Sequence, residues 1–346
     1  MKNKNEFRVA LVGTDSLRGK EIKNILSVKR FPLTQIEFFD ADVEAEYAKL
    51  TEFQDQPRVI RNLSPNSLEG LDLVFFADRE ASRAYGPLAG EKKFQAIDLS
   101  GSFGDREDVP LIVAGVNTAV ITQKRFPLIA NPHPVAIILS SLFHLLIPKF
   151  GIVKSVAFIL QPVSAFDESG IEELAGQSAA LLSSAALKKQ VFREQIAFNI
   201  LSHTEAPDAN GFSSGERQII AEIKWILANP ELPLSLSIIQ TPIFHTYSIM
   251  AYVELAASAS ISDLAGLYKE NPLFKIGALS AACPVSSISV SGKEQIFIGQ
   301  IKKEESFPNA FWIWTVADNL TRGSAVNALE IARILFETRS QGHSSR

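Results

Sequence analysis

The chain has 346 residues, 46% hydrophobic and 21% charged, with a formal net charge of -4. This is the make-up of a soluble globular protein long enough for two domains, and it lacks the clustered positive charge that general nucleic-acid binding needs. One cysteine, Cys283, excludes an intrachain disulfide and fits a reducing cytoplasm.

The opening Met1–Glu6 leads straight into a strand-like run and is not a signal peptide. Phe7 to Gly13 predicts a buried strand closed by a glycine turn, and Arg18 to Leu26 a helix. Ile36 to Asp40, Leu71 to Ala77 and Gln95 to Leu99 predict three further strands. Strands alternating with helical stretches predict a parallel α/β sheet of the dinucleotide-binding type. Val135 to Ile147 is too short to span a bilayer and predicts a buried helix bracketed by Pro134 and Pro148.

The pattern then changes. Val153 to Val163 predicts a strand, and Asp167 to Gln190 a long helix capped from Ser164 to Asp167, with Glu172 and Glu173 favouring its start. Gly215 to Ala228 predicts an amphipathic helix. Leu234–Ile243, Ser248–Ala256, Ser286–Val290, Gln295–Lys302 and Ala310–Ala317 predict a largely antiparallel sheet, and Ser324–Glu337 a final helix before a polar tail from Arg339. Trp312 and Trp314 alternate on one strand and share a face. Cys283 lacks a flanking cation and reads as inert.

Several motifs fall in an order that resembles the aspartate-semialdehyde dehydrogenase family, and specifically its USG-1-like homologues. Val9 to Gly19 resembles that family's V-A-V-V-G-A-T-G-A-V-G, and Ile97 to Asn117 its I-D-N-S-S-A-F-R through V-P-E-V-N. Ile129-Ala130-Asn131-Pro132-His133-Pro134 resembles I-A-N-P-N-C; Gln161 to Ser164 resembles Q-A-V-S-G; Ala197 to Leu201 resembles A-F-N-I-L. Val316-Ala317-Asp318-Asn319-Leu320 with Gly323 resembles V-A-D-N-L-x-x-G. The resemblance implies a Rossmann-like domain, residues 1–132 with 323–346, and a C-terminal α+β substrate and dimerisation domain, residues 133–322. It also implies a cytoplasmic homodimer and kinship with amino-acid biosynthesis enzymes. Trp312 and Trp314 would then lie in a subunit contact.

Where the resemblance places the nucleophilic cysteine, this chain has Pro134, which has no nucleophilic atom. The acid/base histidine falls at Tyr247, and the arginine for the substrate carboxylate at Gln240. Two phosphate-binding cations fall at Gly104 and Trp225; Gln161 and Glu222 keep the family's substrate contacts. Gly13, Gly19, Asp40, Ser164 and Asn319 are the expected cofactor contacts. Ser16 stands at a glycine position and Asp15 adds negative charge, so no cofactor is firmly implied. Asp40, Asp42 and Glu44 favour NAD over NADP, because carboxylates repel a 2′-phosphate. Arg79 could pair with a phosphate or with a surface carboxylate.

The expectation is a family member without the parental reaction, acting as a binding or interaction protein with a possible protein partner and no nucleic acid or membrane. The alternative is an NAD(P)-dependent oxidoreductase on an aldehyde or oxo group, using a rebuilt non-covalent site around His133, His245 and Tyr247. The same histidines read more simply as polar replacements in a relic cleft, and no metal site is expected from them.

Overall fold

The computed structural model describes residues 7–29, 31–41, 43, 49–277 and 284–341. Asp42, Glu44 and Cys283 lie outside the described residues. The chain forms two compact units, Met1–His133 with Ser324–Arg346, and Pro134–Gly323.

Unit one opens with β1 (Phe7–Val12), an almost wholly buried strand, as expected where helices cover both faces of a parallel sheet. Gly13 turns the chain at a φ of +85°, and Ser16 caps α1 (Leu17–Val28) by accepting the Gly19 N–H. Then follow β2 (Leu33–Asp40), β3 (Lys49–Phe53) and β4 (Gln56–Asn62). The β3–β4 hairpin was not legible in the sequence. Its turn is Gln54-Asp55, both at positive φ, without the glycine that normally marks such a turn.

Next come β5 (Leu73–Phe76), α2 (Arg79–Tyr85), α3 (Ala89–Lys92), β6 (Gln95–Asp98), α4 (Ala119–Gln123) and β7 (Leu128–Ala130). The sheet order is β3-β4-β2-β1-β5-β6-β7, parallel except for β3–β4.

Unit two begins with α5 (Pro134–Phe150), which continues through Pro148 rather than stopping before it. β8 (Ile152–Gln161) and α6 (Asp167–Leu182) follow. The predicted helix to Gln190 is too long. α6 ends where Ser183 bonds back to the Ala179 carbonyl and Ser184 takes positive φ. At its start the Asp167 carboxylate accepts the Glu168 N–H at 2.9 Å, in line with a cap from Ser164 to Asp167. α7 (Ser214–Ile226) starts with a Ser213–Glu216 capping box.

The remaining elements are β9 (Leu234–Gln240), β10 (Tyr247–Leu255), α8 (Ile261–Lys269), β11 (Phe274–Ile276), α9 (Ser287–Val290), β12 (Ile296–Lys303) and β13 (Ala310–Ala317). The predicted strand Ser286–Val290 is instead the short α9, because Ser286 and Ser289 form a capping box. The sheet order is β11-β12-β13-β10-β8-β9, with antiparallel pairing at its centre. One face carries Phe158, Met250, Tyr252, Trp312 and Trp314 in cross-strand register, all at least partly exposed.

The chain leaves unit two through a π-helical turn, Thr321–Val326, and ends in α10 (Asn327–Gln341) in unit one. Residues 339–341, expected in a polar tail, belong to α10. Phe336 stacks on Phe7 with ring centroids 3.6 Å apart, so the last helix shares a core with the first strand.

Candidate functional site

In unit one the Gly13–Gly19 turn is wound tightly. A methyl group on Gly13 would sit 2.5 Å from the Asp78 backbone nitrogen, and one on Gly19 would overlap the Gly13 carbonyl oxygen. Both glycines are thus required by packing. The Ser16 hydroxyl donates to the Gly13 carbonyl at 2.9 Å and accepts from the Gly19 N–H at 3.0 Å. Asp40 accepts the Thr14 N–H at 2.8 Å on one oxygen and the Lys49 ammonium at 2.7 Å on the other. Lys49 also pairs with Asp15, and the two carboxylates hold its ammonium above the usual lysine range, Asp15 first. The N–H groups of Thr14 and Gly19 and both oxygens of Asp40 are therefore engaged within the protein. The turn keeps the shape of a dinucleotide loop, but these residues fit a pyrophosphate and ribose poorly. Lys49 had no sequence signal, since it lies on the hairpin that was missed.

Asp98 organises the loop after β6. Its carboxylate accepts from the Ser82 and Ser100 hydroxyls and from the Ser100 and Ser102 N–H groups, at 2.6–2.9 Å. Arg79 donates to the Ser100 carbonyl at 3.4 Å. Asn327 accepts the Ala114 N–H and donates to Ile112 and Asn131, tying α10 to the segment that carries His133. His133 is half-buried. Burial, then the charge of Arg18, pushes its imidazole down to about 3.

In unit two the substrate-like positions meet. Gln161 Nε2 donates to Gln240 Oε1 at 2.9 Å, and the Tyr247 hydroxyl donates to Gln161 Oε1 at 3.1 Å. Gln240 Nε2 donates to the carbonyls of Gln161 and Thr241. Gln240 and Tyr247 are each 1% exposed. The cluster is neutral and closed. Glu222 is buried on α7 and accepts from Gln218 at 2.8 Å, with Trp225 partly exposed one turn on. Pro134 opens α5 and packs against Gly323, where a methyl group would come within 2.7 Å of the proline Cβ.

Ser164 and Asn319 also come together. Asn319 Nδ2 donates to the Ser164 hydroxyl at 3.1 Å, and its Oδ1 accepts the Thr246 N–H at 2.9 Å. Thr246 holds a φ of +78°, an outlier for a β-branched residue, and its buried hydroxyl has no partner. The buried Nδ1 of His245 also has none. No sequence pattern foreshadowed the conformation of Thr246. Glu173, expected to favour the start of α6, instead accepts the N–H groups of Gln190, Val191 and Phe192. Among the described residues no cluster of three metal-ligating side chains occurs, and no helix is long and apolar enough to cross a membrane.

The two units therefore pair a glycine-turn α/β domain with an α+β domain, the architecture of a two-domain dehydrogenase. A family model described as "Semialdehyde dehydrogenase, NAD binding domain" matches residues 8–124, and "Semialdehyde dehydrogenase, dimerisation domain" matches residues 145–322. The chain belongs to the semialdehyde dehydrogenase family. It is 28% identical over 338 residues to the aspartate-semialdehyde dehydrogenase of Rickettsia bellii, covering 96% of this chain and 98% of the relative. The Aquifex aeolicus aspartate-semialdehyde dehydrogenase is 27% identical, with 96% and 98% covered. The crystal structure of Vibrio cholerae aspartate semialdehyde dehydrogenase II complexed with ASA superposes with a TM-score of 0.90 at 25% identity, covering 96% and 98%.

Proposed function

We propose that this chain has left the parental dehydrogenase reaction and acts by binding, as a cytoplasmic homodimer of the USG-1-like kind. The observation that carries this reading is the closed Gln161–Gln240–Tyr247 cluster. Recognition of an anionic substrate calls for a cation, ideally a guanidinium offering paired donors. Here that position holds a neutral amide whose donors are spent on protein carbonyls. Pro134 adds that no thiolate is available. The apolar face of Phe158, Met250, Tyr252, Trp312 and Trp314 supports self-association, with a further protein partner open to the same homodimer. If a dinucleotide binds, the Asp40 carboxylate favours NAD over NADP, and Lys49 must move aside.

A second reading is supported by the partnerless Nδ1 of His245. In that reading, His245 and Tyr247 serve a non-covalent hydride transfer between NAD(P) and an aldehyde or oxo compound. Titration calorimetry with NAD, NADP and their reduced forms, in low-phosphate buffer, separates the two. Absence of heat at two temperatures is expected. Binding tighter than about 100 μM, about -5.5 kcal/mol, would overturn the first reading in favour of the oxidoreductase.

A further inference from the structure

We propose that unit one carries a second ligand site, for a small phosphate monoester, at the amino ends of β6 and β7. The Gly13 turn lies at the carboxyl end of β1, at the opposite end of the parallel strands of the same sheet. The site is a cavity of about 500 Å³ between α3, the start of β6 and the segment leading into β7. Its size is in the range of small-molecule sites. The residues that decide its chemistry are Lys93, Gln95 and Arg125, with Phe94, Ala89 and Pro127 as an apolar wall.

Two features of this wall are costly to the protein. Gln95 is 6% exposed and its Oε1 has no hydrogen-bond partner. A buried acceptor without a donor is destabilising. Lys93 closes α3 in the left-handed conformation, φ +65°, a position that glycine fills without strain. Both costs fall on side chains that line the same cavity.

The charge identifies the ligand. Lys93 and Arg125 line the cavity and no carboxylate does, so the wall carries two positive charges. A phosphate monoester near its dianionic form matches that charge, and arginine is suited to bind it through paired donors. Gln95 adds an amide to the same lining, a neutral donor beside the two cations. The apolar wall takes the carbon skeleton. A small organic phosphate satisfies both the charge and the apolar wall.

The test is thermal unfolding of the full chain with glycerol 3-phosphate, against inorganic phosphate and malate. Glycerol 3-phosphate is expected to raise Tm, because a ligand of the folded state stabilises it by mass action. Arg125→Ser should weaken apparent affinity about tenfold, as loss of a charge-assisted contact does. Lys93→Gly and Gln95→Met should raise the ligand-free Tm, by relieving the backbone and the orphan acceptor, yet lose the ligand response. Arg18→Ser, at the glycine turn, should keep the response.

Four results would overturn the proposal. They are no response to glycerol 3-phosphate, an equal response to inorganic phosphate (an adventitious ion only), an equal response to malate, or a response unchanged by Arg125→Ser and Gln95→Met.

Discussion

The side-chain amides of Gln161 and Gln240 bond each other across the β8–β9 pair, Nε2 to Oε1 at 2.9 Å. Both side chains are buried, so each amide needs its partner. Gln240→Leu should destabilise the protein by about 1–3 kcal/mol, the usual penalty for stranding a buried polar group. Joining it to Gln161→Leu should cost less than the sum of the single variants, because the pair acts as a unit. Urea unfolding of the three variants checks this; additive losses would refute the coupling.

Restoring a thiol should not restore the reaction. Pro134→Cys supplies a nucleophile, but Gln240 and Tyr247 still stand where the resemblance calls for a substrate cation and an acid/base. Groups that work as a unit give little singly. We expect no NAD(P) reduction with aspartate semialdehyde above the wild-type rate. A hundredfold gain in the single variant would contradict the reading.

Glu173 is 9% exposed and accepts three successive backbone N–H groups, while Gln177 accepts those of Ile196 and Ala197. Together they hold the segment after α6 in place without regular secondary structure. Glu173→Ala should cost about 3 kcal/mol by stranding buried donors. Limited proteolysis should then cut between residues 183 and 200; an unchanged digestion pattern would argue against this anchoring.

His133 sets a pH dependence with a definite sign. Its pKa falls from 6.5 to about 3 on folding. Between those values the unfolded chain binds more protons than the folded one, so stability rises with pH. The contribution is fully present above about pH 6.5 and is lost as pH falls toward 3. His133→Gln should flatten urea midpoints measured from pH 4 to 7; an unchanged slope would assign the dependence elsewhere.

Phe158 is 42% exposed on the open face of the second sheet, opposite Met250 on β10. If that face joins two copies, Phe158→Arg buries an unpaired charge at the contact. Light scattering at micromolar concentration should report a monomer for this variant and a dimer for the wild type. Equal masses would move the interface to another surface.

Much of the fold was legible because its elements carry strong local patterns. The strand around Leu11, the glycine turn and the amphipathic helix from Gly215 each agree with their surroundings. The lapses share a cause. The β3–β4 hairpin is polar and turns without glycine, Ser286 begins a helix where alternation suggested a strand, and α6 stops at Leu182 despite good helix formers beyond it. In each case local propensity yielded to capping or tertiary hydrogen bonds.

By itself the sequence determined the chemistry that Pro134, Gln240 and Tyr247 can supply, because a residue's functional groups do not depend on its neighbours. It also determined the two-domain order, since hydrophobic period and turn residues act locally. Only the tertiary structure decided how those groups are used. It closed Gln161, Gln240 and Tyr247 into one neutral cluster, set Lys49 on Asp40, and left Gln95 without a donor beside two cations. Those outcomes depend on which distant segments share a buried space, where every polar atom must find a partner or bear the cost of lacking one.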